Sequence, residues 1–335
     1  MKFSIFSVSD YYEDEHDDPS SFYRDQIDIA VFAEQLGFHG YFAAEHHFHP
    51  YGLVPDPALL LSSIAAKTET LKLDPAVSIL PFHNPLRAAE QWSMVDQLSQ
   101  GRLILGVGSG YLHHEFEGFG MSPATKRDHF DDALEVLEKA MAGKRVTHQS
   151  KYFQAKKVRL NILPYKKRKV EIKIAILAEL ASYHVGKRGY GIMTIPYATV
   201  EKVDDATPLY ASYRKGWDES GLDGNGDVIA AMHAHVSDYS SERNELNKRH
   251  IEKYVYSRLY ARHSDYNECL ERGVIASGTP DEVTDQLQRL INTGVDHVML
   301  LVGYGAMPQE EIKISMERLK NEVIPNLTPY KTPRV

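Results

Sequence analysis

Residues 72–107 read KLDPAVSILPFHNPLRAAEQWSMVDQLSQGRLILGV, and this stretch decides the fold. Residues 72–79 form a short, largely apolar run that is typical of a buried strand. Residues 85–98 follow with apolar side chains at helical spacing, and Gly101 marks the end of that helix. A second buried strand is predicted at residues 103–107. Together they predict one strand–helix–strand unit of a parallel sheet.

The same alternation continues in both directions from this unit. Strands are predicted at residues 2–8, 40–44, 72–79, 103–107, 172–176, 192–195, 228–236 and 297–302. Helices are predicted at residues 22–36, 56–68, 85–98, 126–141, 179–188, 200–219, 240–261, 280–293 and 308–323. Parallel strands in this number can close into a barrel that has no exposed edge. The pattern therefore predicts an α/β fold, a (β/α)8 TIM barrel, as one domain over residues 1–335.

An open, doubly wound sheet is the alternative arrangement of the same elements. It is less favoured because no glycine-rich dinucleotide turn follows the first strand. Two segments interrupt the alternation. Residues 146–169 form an excursion before the fifth strand, for which a hairpin is one interpretation, and residues 263–275, after the seventh strand, are a candidate mobile lid.

Charge and composition restrict the partners and the compartment. The chain has a net charge of −8 and one cysteine, Cys269. A single cysteine cannot form a disulfide within the chain, which favours a reducing compartment and a cytoplasmic protein. We expect no signal peptide and no membrane span, because no apolar run is long enough for either. The one dense basic run, residues 166–169, is typical of a solvated turn, so neither nucleic acid nor membrane is expected as a partner.

Polar residues that follow the strands are the candidates for chemistry, because active sites of β/α barrels lie at the carboxyl ends of the strands. Residues 45–49, EHHFH, follow the second strand. Three interpretations apply to this segment. Its side chains can hold loops together by hydrogen bonds, act as general acid or base, or bind a metal ion.

A metal-dependent barrel hydrolase is the alternative function that the histidines allow. His47 and His49 form one His-x-His pair, and His233 and His235 form another. On a strand, both rings of such a pair face the same side and can hold zinc. Only two segments carry a pair, and the first falls in a loop, so this function ranks second.

Small residues form a turn after the fourth strand, from Gly106 to Gly110. Glycines let a phosphate or a flat ring approach backbone N–H groups closely. By itself the turn is a weak signal, because barrels use glycine at strand ends for several reasons.

Taken together, these segments resemble the bacterial luciferase-like family of flavin-dependent oxidoreductases. The similarity is strongest at ILPFHNP (79–85) and DQLSQGR (96–102), and it continues at EHHF (45–48), GSGY (108–111), EFEGFG (115–120) and GTPDEV (278–283). The order and joint occurrence of these pieces are specific, although no single piece is. The resemblance implies a (β/α)8 barrel that binds reduced FMN, or the deazaflavin F420, at its carboxyl face.

The same resemblance implies a monooxygenase reaction. A separate flavin reductase delivers FMNH2, O2 adds to the flavin to give a hydroperoxide, and the hydroperoxide oxidises a small organic substrate such as an aldehyde. An F420-dependent oxidoreductase and a flavin-binding relative without catalysis are the other functions that the resemblance allows. Family members are commonly dimers that pack their first helices together, which implies a homodimer.

Family roles carry over to the matching positions of this chain. His46 matches the catalytic histidine beside the flavin. Ala76-Val77 matches a cis peptide bond that packs against the flavin ring, and Arg127 matches an arginine near the FMN phosphate. The other cofactor-binding positions that the resemblance implies are Ser109, Gly110 and Tyr111 after the fourth strand, and Glu179, Leu180, Ala181 and Tyr183 around the phosphate.

Three positions depart from the luciferase pattern. Ser109 stands where luciferases carry an arginine, and Leu180 replaces a hydroxyl residue, so two phosphate contacts are removed. Gly108 replaces the reactive cysteine of luciferases, which argues against light emission.

The substrate pocket is expected to be apolar and lined by aromatic side chains. Phe48, Phe82, Tyr111 and Tyr197 all fall in loops after predicted strands. No motif identifies the compound that this pocket would bind.

Overall fold

Parallel strands form the centre of the molecule. The structure is a computed structural model that describes residues 1–237, 241–258 and 263–330. The strands are β1 (Lys2–Ser7), β2 (Gly40–Ala43), β3 (Lys72–Pro75), β4 (Ser78–Ile79), β5 (Leu105–Gly108), β6 (Val146–Gln149), β7 (Gln154–Val158), β8 (Ile172–Ala175), β9 (Gly191–Thr194), β10 (Val228–Val236), β11 (Ile275–Gly278) and β12 (His297–Leu301). The α-helices are α1 (Pro19–Gln35), α2 (Pro57–Ala65), α3 (Pro85–Leu98), α4 (His113–Gly118), α5 (Lys126–Met141), α6 (Glu179–Lys187), α7 (Pro196–Thr199), α8 (Ala206–Ser220), α9 (Ser241–Ser257), α10 (Tyr266–Glu271), α11 (Pro280–Asn292) and α12 (Gln309–Arg318).

The sheet curls round so that its two ends meet at one segment of the chain. Its strand order is β3-β2-β1-β12-β10-β9-β8-β5-β4. The strands β3 and β4 are two halves of one segment, separated by Ala76 and Val77. β3 pairs with β2, β4 pairs with β5, and Leu73 forms a further bridge to Leu103. The predicted TIM barrel is therefore confirmed.

Burial explains why most strands are apolar along their whole length. All nine residues of β10 are buried, because one face points into the barrel and the other packs on helices. Parallel sheets covered on both faces show such continuous apolar runs rather than alternation.

Capping residues set the starts of the helices. Asp18 accepts hydrogen bonds from the N–H groups of Ser20 and Ser21 at 2.6 and 3.0 Å, so α1 begins at Pro19, earlier than predicted. Thr279 caps α11, with a reciprocal bond from its N–H to the Glu282 carboxylate. Within the described ranges, none of the helices combines the length and the apolar character of a bilayer-spanning segment.

The two interrupting segments have different outcomes. The excursion contains an antiparallel hairpin of β6 and β7, which confirms that interpretation. Residues 263–275 contain α10, whose Tyr266 and Cys269 are buried, and lead into β11. The strand β11, which pairs with the second half of β10, was missed because its IASG sequence lacks the β-branched run of a strand. Movement of this segment as a lid stays a prediction.

The long helix predicted at residues 240–261 corresponds to α9, Ser241–Ser257. Residues 240 and 259–261 of that prediction lie outside the described residues.

Asp10, just after β1, is a buried carboxylate whose ionisation opposes folding. Its Oδ2 accepts a hydrogen bond from the Gly305 N–H at 2.6 Å. Burial raises the pKa of Asp10 to about 6, and the bond from Gly305 offsets this effect only in part. The folded-state pKa lies above the unfolded value, so the protonated Asp10 carboxyl favours the folded state. This stabilisation is present at low pH and is lost as the pH rises through about 6.

We expect Asp10→Asn to gain stability relative to the unsubstituted protein as the pH rises from about 4 to about 8. A shift of about two pKa units corresponds to a gain of about 3 kcal/mol in the free energy of unfolding. Urea unfolding at both pH values measures this gain, with Asp281→Asn at an exposed helix position as the control. A difference between Asp10→Asn and the unsubstituted protein that is the same at both pH values would contradict the assignment.

Candidate active site

A cavity opens at the carboxyl ends of the barrel strands. Its volume is about 700 Å³, which is in the range of cofactor and small-molecule sites. Small residues at the strand ends leave much of this space open, among them Ala44, Ala76, Gly108, Ala175 and Ala231. A flat ring system could lie against such a wall without displacing side chains.

The segment between β3 and β4 forms part of this wall. The peptide bond between Ala76 and Val77 is cis, as the resemblance implies, and both residues line the cavity. Gly108 faces this segment: a Cβ atom at residue 108 would lie 2.6 Å from Cγ2 of Val77. At Gly106 a Cβ atom would lie 2.2 Å from the Pro75 carbonyl oxygen. Glycine at both positions therefore lets β5 pack directly against the wall.

The turn after β5 borders the same cavity. Ser109, Gly110 and Tyr111 all line it. Gly110 has a φ of +75°, a backbone conformation that glycine adopts without strain. The Tyr111 ring lies 6.4 Å from the ring of His46, measured between centroids. The histidine after β2 and the glycine turn after β5 therefore border one site.

His46 is held in place by a buried carboxylate. Its Nδ1 lies 3.0 Å from Oε1 of Glu115, which is at the first turn of α4. The same oxygen accepts a hydrogen bond from the His47 N–H at 3.0 Å. An ionised carboxylate accepts hydrogen bonds, so Nδ1 of His46 carries a proton and Nε2 is the basic nitrogen. This arrangement orients an imidazole at the cavity edge and fixes its tautomer.

Glu45 holds the neighbouring loops. Its fully buried carboxylate accepts hydrogen bonds from His47 at 3.2 Å, from His83 at 2.9 Å and from the Ile79 N–H at 3.2 Å. Burial would raise the pKa of Glu45, but the two histidines outweigh it and the pKa lies below its usual value. Burial would lower the pKa of His83, but Glu45 outweighs it and the pKa is raised. The loop-holding interpretation therefore applies to these three side chains.

The two predicted His-x-His pairs do not form one metal site. His49 accepts a hydrogen bond from the Tyr51 N–H at 3.1 Å, while His233 and His235 lie on β10. In the part of the chain that the structure describes, no three His, Cys, Asp or Glu side chains are arranged as metal ligands. A ligand set of the kind that zinc hydrolases use is not assembled by these pairs.

One side of the cavity is positively charged. Lys126, Arg127 and Arg188 line it. Arg188 is paired with Asp131 at 2.7 Å, and Nζ of Lys126 donates a hydrogen bond to the Gly110 carbonyl at 2.9 Å. Burial and then the neighbouring Arg127 cation lower the pKa of Lys126. Two adjacent cations that repel each other favour an anion between them.

The start of α6 adds backbone donors to the cavity. Its N-cap residue, Ala178, provides no side-chain hydrogen bond to the first turn. The N–H groups of that turn are therefore open to an anion, and the helix dipole favours negative charge there. Both Ala178 and Ala181 line the cavity.

The structure brings most of the predicted site residues together, but not all. The residues that line the cavity are His46, Ala76, Val77, Ser109, Gly110, Tyr111, Arg127 and Ala181. The side chains of Glu179, Leu180 and Tyr183 are not among the lining residues; Leu180 is 73% exposed, and the Tyr183 hydroxyl donates to Glu219 at 2.5 Å. Only the backbone of residues 179 and 180 remains available to a ligand at the helix start.

Two of the four aromatic residues that were predicted to line the substrate pocket lie elsewhere. Tyr111 and Tyr197 line the cavity, whereas Phe48 and Phe82 do not. Phe48 is 64% exposed, and both phenylalanines pack against Phe119, with ring centroids 5.0 and 4.7 Å apart. The two phenylalanine rings therefore belong to an aromatic cluster outside the cavity.

Several residues at the site were not identified from the sequence. Glu115 lies within the EFEGFG motif, which carried the resemblance but assigned it no role. Lys126 adjoins the predicted Arg127. Tyr51 and Arg258 line the cavity and Tyr254 contacts both of them; the three come together only through the tertiary fold, and no local sequence signal marks them.

Comparisons with known proteins identify the family of this chain. A family model described as luciferase-like monooxygenase matches residues 1–297. A relative from Sinorhizobium fredii, the uncharacterized protein y4wF, is 33% identical over 202 residues, 60% of this chain. That match spans only 59% of the relative's own length.

Two further relatives match over most of their length. The limonene 1,2-monooxygenase of Rhodococcus erythropolis is 24% identical, with 92% of this chain and 82% of that protein covered. The oxygenase component of the flavin-dependent trigonelline monooxygenase of Acinetobacter baylyi is 22% identical, with 100% and 98% covered.

Solved structures share the fold. A monooxygenase of Streptomyces bottropensis has a TM-score of 0.91 at 24% identity, over 97% of this chain and 99% of that one. The oxygenating constituent of 3,6-diketocamphane monooxygenase from Pseudomonas putida, in complex with FMN, has a TM-score of 0.81 at 19% identity, over 99% and 100%. An F420-dependent secondary alcohol dehydrogenase has a TM-score of 0.75 at 18% identity, over 98% and 99%.

Proposed function

The chain belongs to the luciferase-like monooxygenase family, and from this premise we propose that it is an FMN-dependent monooxygenase acting on a small organic substrate such as an aldehyde. Bound reduced FMN supplies two electrons and two protons, so that one atom of O2 enters the substrate and the other leaves as water. The observation that carries the proposal is the shared cavity of His46, the Ala76-Val77 segment and the glycine turn.

The residues of the cavity fit FMN in two respects. The open wall of Ala44, Ala76, Gly108 and Ala175 suits a flat isoalloxazine. The cationic side and the uncapped start of α6 suit the phosphate. Lys126, with its Nζ on the Gly110 carbonyl, offsets in part the loss of the arginine that Ser109 replaces.

His46 is the residue to which we assign acid–base work. Glu115 fixes its Nδ1 proton, which leaves Nε2 to accept or return a proton at the edge of the cavity. The Tyr51 ring packs against it with centroids 4.6 Å apart and shields this side from water. A proton held at Nε2 stabilises negative charge that develops on oxygen during the reaction.

Reconstitution tests this proposal. The protein, with FMNH2 and air, is offered decanal, cyclohexanone, limonene and the aldehyde acid 4-formylbenzoate, and both the oxygenated products and the H2O2 released are quantified. We expect FMN to bind with an absorbance change and one of the four compounds to gain a single oxygen atom. FMN binding with all consumed O2 released as H2O2 would support the non-catalytic relative, and tighter binding of F420 than of FMN would support an F420-dependent oxidoreductase. Stoichiometric zinc with no flavin binding would favour the hydrolase.

The reduced cofactor is expected to come from a separate flavin reductase. A relative that matches the whole of this chain is named as the oxygenase component of a flavin-dependent monooxygenase, which supports a separate reductase.

A cytoplasmic location is part of the proposal, since Cys269 is a buried free thiol.

A homodimer through the first helices is the proposed assembly. Leu59 on α2 and Met94 on α3 are 71% and 55% exposed, and Leu98 on α3 is also exposed. Large apolar side chains grouped on adjacent helices mark an interaction surface. We expect light scattering to give twice the chain mass of 38.0 kDa, and Leu59→Glu with Met94→Lys to give a folded monomer. A monomer mass for the unsubstituted protein at micromolar concentration would contradict this assembly.

A further inference from the structure

Arg258, just after α9, is a buried cation that faces the cavity. Its side chain is 5% exposed and lines the site. The Nη1 atom has no hydrogen-bond partner among the residues that the structure describes. A buried guanidinium with an unused donor requires an explanation, because buried charges are normally paired.

Other buried arginines of this protein show what a structural role looks like. Arg102 donates five hydrogen bonds, four of them to backbone carbonyls. Arg272, which lines the same cavity, donates to the carbonyls of Glu201 and Val200 and to the Ser264 hydroxyl. Arg258 differs because its Nη1 makes no such bond within the described ranges of the chain.

Tyrosine rings hold the Arg258 guanidinium in position. Its Cζ lies 4.6 Å from the Tyr197 ring centroid, 5.7 Å from that of Tyr51 and 5.8 Å from that of Tyr254. The hydroxyls of Tyr51 and Tyr254 are 3.1 Å apart. The rings attract the cation through their faces, and Nη1 is left without an acceptor among the described residues. The group is therefore oriented and desolvated, yet still able to bind an anion.

The basic side chain of Arg258 lies on the His46 side of the cavity. The Tyr51 ring packs against both His46 and the guanidinium. His233, which contacts the rings of Tyr197 and Tyr254, has a pKa lowered to about 3 by burial and then by the Arg258 cation. Since this histidine is neutral, it does not add a second positive charge beside the guanidinium.

We propose that Arg258 recognises the substrate: the compound that is oxygenated carries a carboxylate, which pairs with the Arg258 guanidinium while its apolar part extends towards His46. This inference rests on the proposed function and names the substrate class for the same site. Arginine suits the role because its planar donors match the two oxygens of a carboxylate. Tyr111, Leu112 and Val8 also line the cavity and provide contacts for an apolar body.

The FMN phosphate is the other anion that could reach the cavity. Its expected place is the cationic side, where Lys126 and Arg127 adjoin, beside the start of α6. That side is formed by elements that follow β5 and β8, whereas Arg258 follows β10 and contacts the loop after β2. The cavity therefore offers two separate anion positions, one for the FMN phosphate and one for the substrate carboxylate.

Matched acid and amide probes test the inference. Binding of cinnamate against cinnamamide and of decanoate against decanamide is measured by calorimetry, with and without FMN. We expect each acid to bind about 10- to 100-fold more tightly than its amide. Arg258→Gln should bring the ratio close to one, and Arg258→Lys should retain part of it. Arg289→Gln, which removes one exposed surface cation, should leave the ratio unchanged.

The outcomes separate the inference about Arg258 from the proposed FMN-dependent function. Equal binding of acids and amides by the unsubstituted protein, or no binding of either, overturns the inference without any variant. A preference that survives in folded Arg258→Gln also overturns it. If Arg258→Gln weakens FMN but not riboflavin, the guanidinium holds the cofactor phosphate instead. If the acid preference is present but FMN does not bind, the proposed function fails while the carboxylate site stands.

Discussion

His46→Ala is expected to lower the rate of substrate oxygenation by about 100- to 10,000-fold, while FMN still binds. The expected loss is large because a buried carboxylate, Glu115, fixes Nδ1 of His46 and so orients this imidazole at the cavity edge. FMN binding should change little, since the open wall and the cationic side do not depend on this ring. The measurement is the fraction of consumed O2 that appears as H2O2, which should rise towards one.

Two further variants make this result specific. Glu115→Gln keeps the size of the side chain but removes its charge, so we expect a smaller loss of the same kind. His129→Ala removes a histidine that stacks on Tyr152 outside the cavity, so its H2O2 fraction should equal that of the unsubstituted protein. An unchanged H2O2 fraction in His46→Ala would show that this histidine only supports the loop.

Ala181→Asp is expected to weaken FMN binding about 100-fold or more, with a change of only a few-fold for riboflavin. Two like charges about 5 Å apart repel by about 3 kcal/mol at an effective dielectric constant of about 20, which corresponds to more than a hundredfold in affinity. The fold should tolerate the change, because an acidic residue in the first turn of α6 is favourable to the helix dipole. Ala181 lines the cavity, so the new carboxylate would face the phosphate.

Titration of both flavins, followed by absorbance, measures this difference. His184→Glu is the matched control, since it adds the same charge one turn later at an exposed position of α6 that does not line the cavity. It should leave the ratio of FMN to riboflavin affinity unchanged. An equal loss for FMN and riboflavin in Ala181→Asp would indicate that the phosphate lies elsewhere.

Local sequence patterns were sufficient for the barrel and for the bounds of some helices: α3 and α5 begin and end where predicted, whereas α1 begins three residues earlier and α8 six residues later. The alternation of strands and helices and the hairpin of the excursion depend on interactions between residues close in sequence. β11 was missed for the opposite reason: its IASG sequence becomes a strand only because β10 offers an unpaired edge beside it. Tertiary pairing overrides weak local preference in such cases.

The site was predictable where the resemblance supplied a motif and not elsewhere. His46, the Ala76-Val77 segment and the glycine turn follow from the quoted motifs. Glu115 is 69 positions from His46, and its role depends on how α4 folds back over the loop after β2. The three tyrosine rings around Arg258 come from segments that follow β2, β9 and β10, so their arrangement depends on the assembled barrel.

A crystal structure of the protein with FMN tests the central claim most directly. We expect the isoalloxazine to lie against Ala76 and Val77 within contact distance of His46, and the phosphate to lie at the start of α6. Flavin bound on another face of the barrel, or a phosphate paired with Arg258, would contradict the assignment of this cavity.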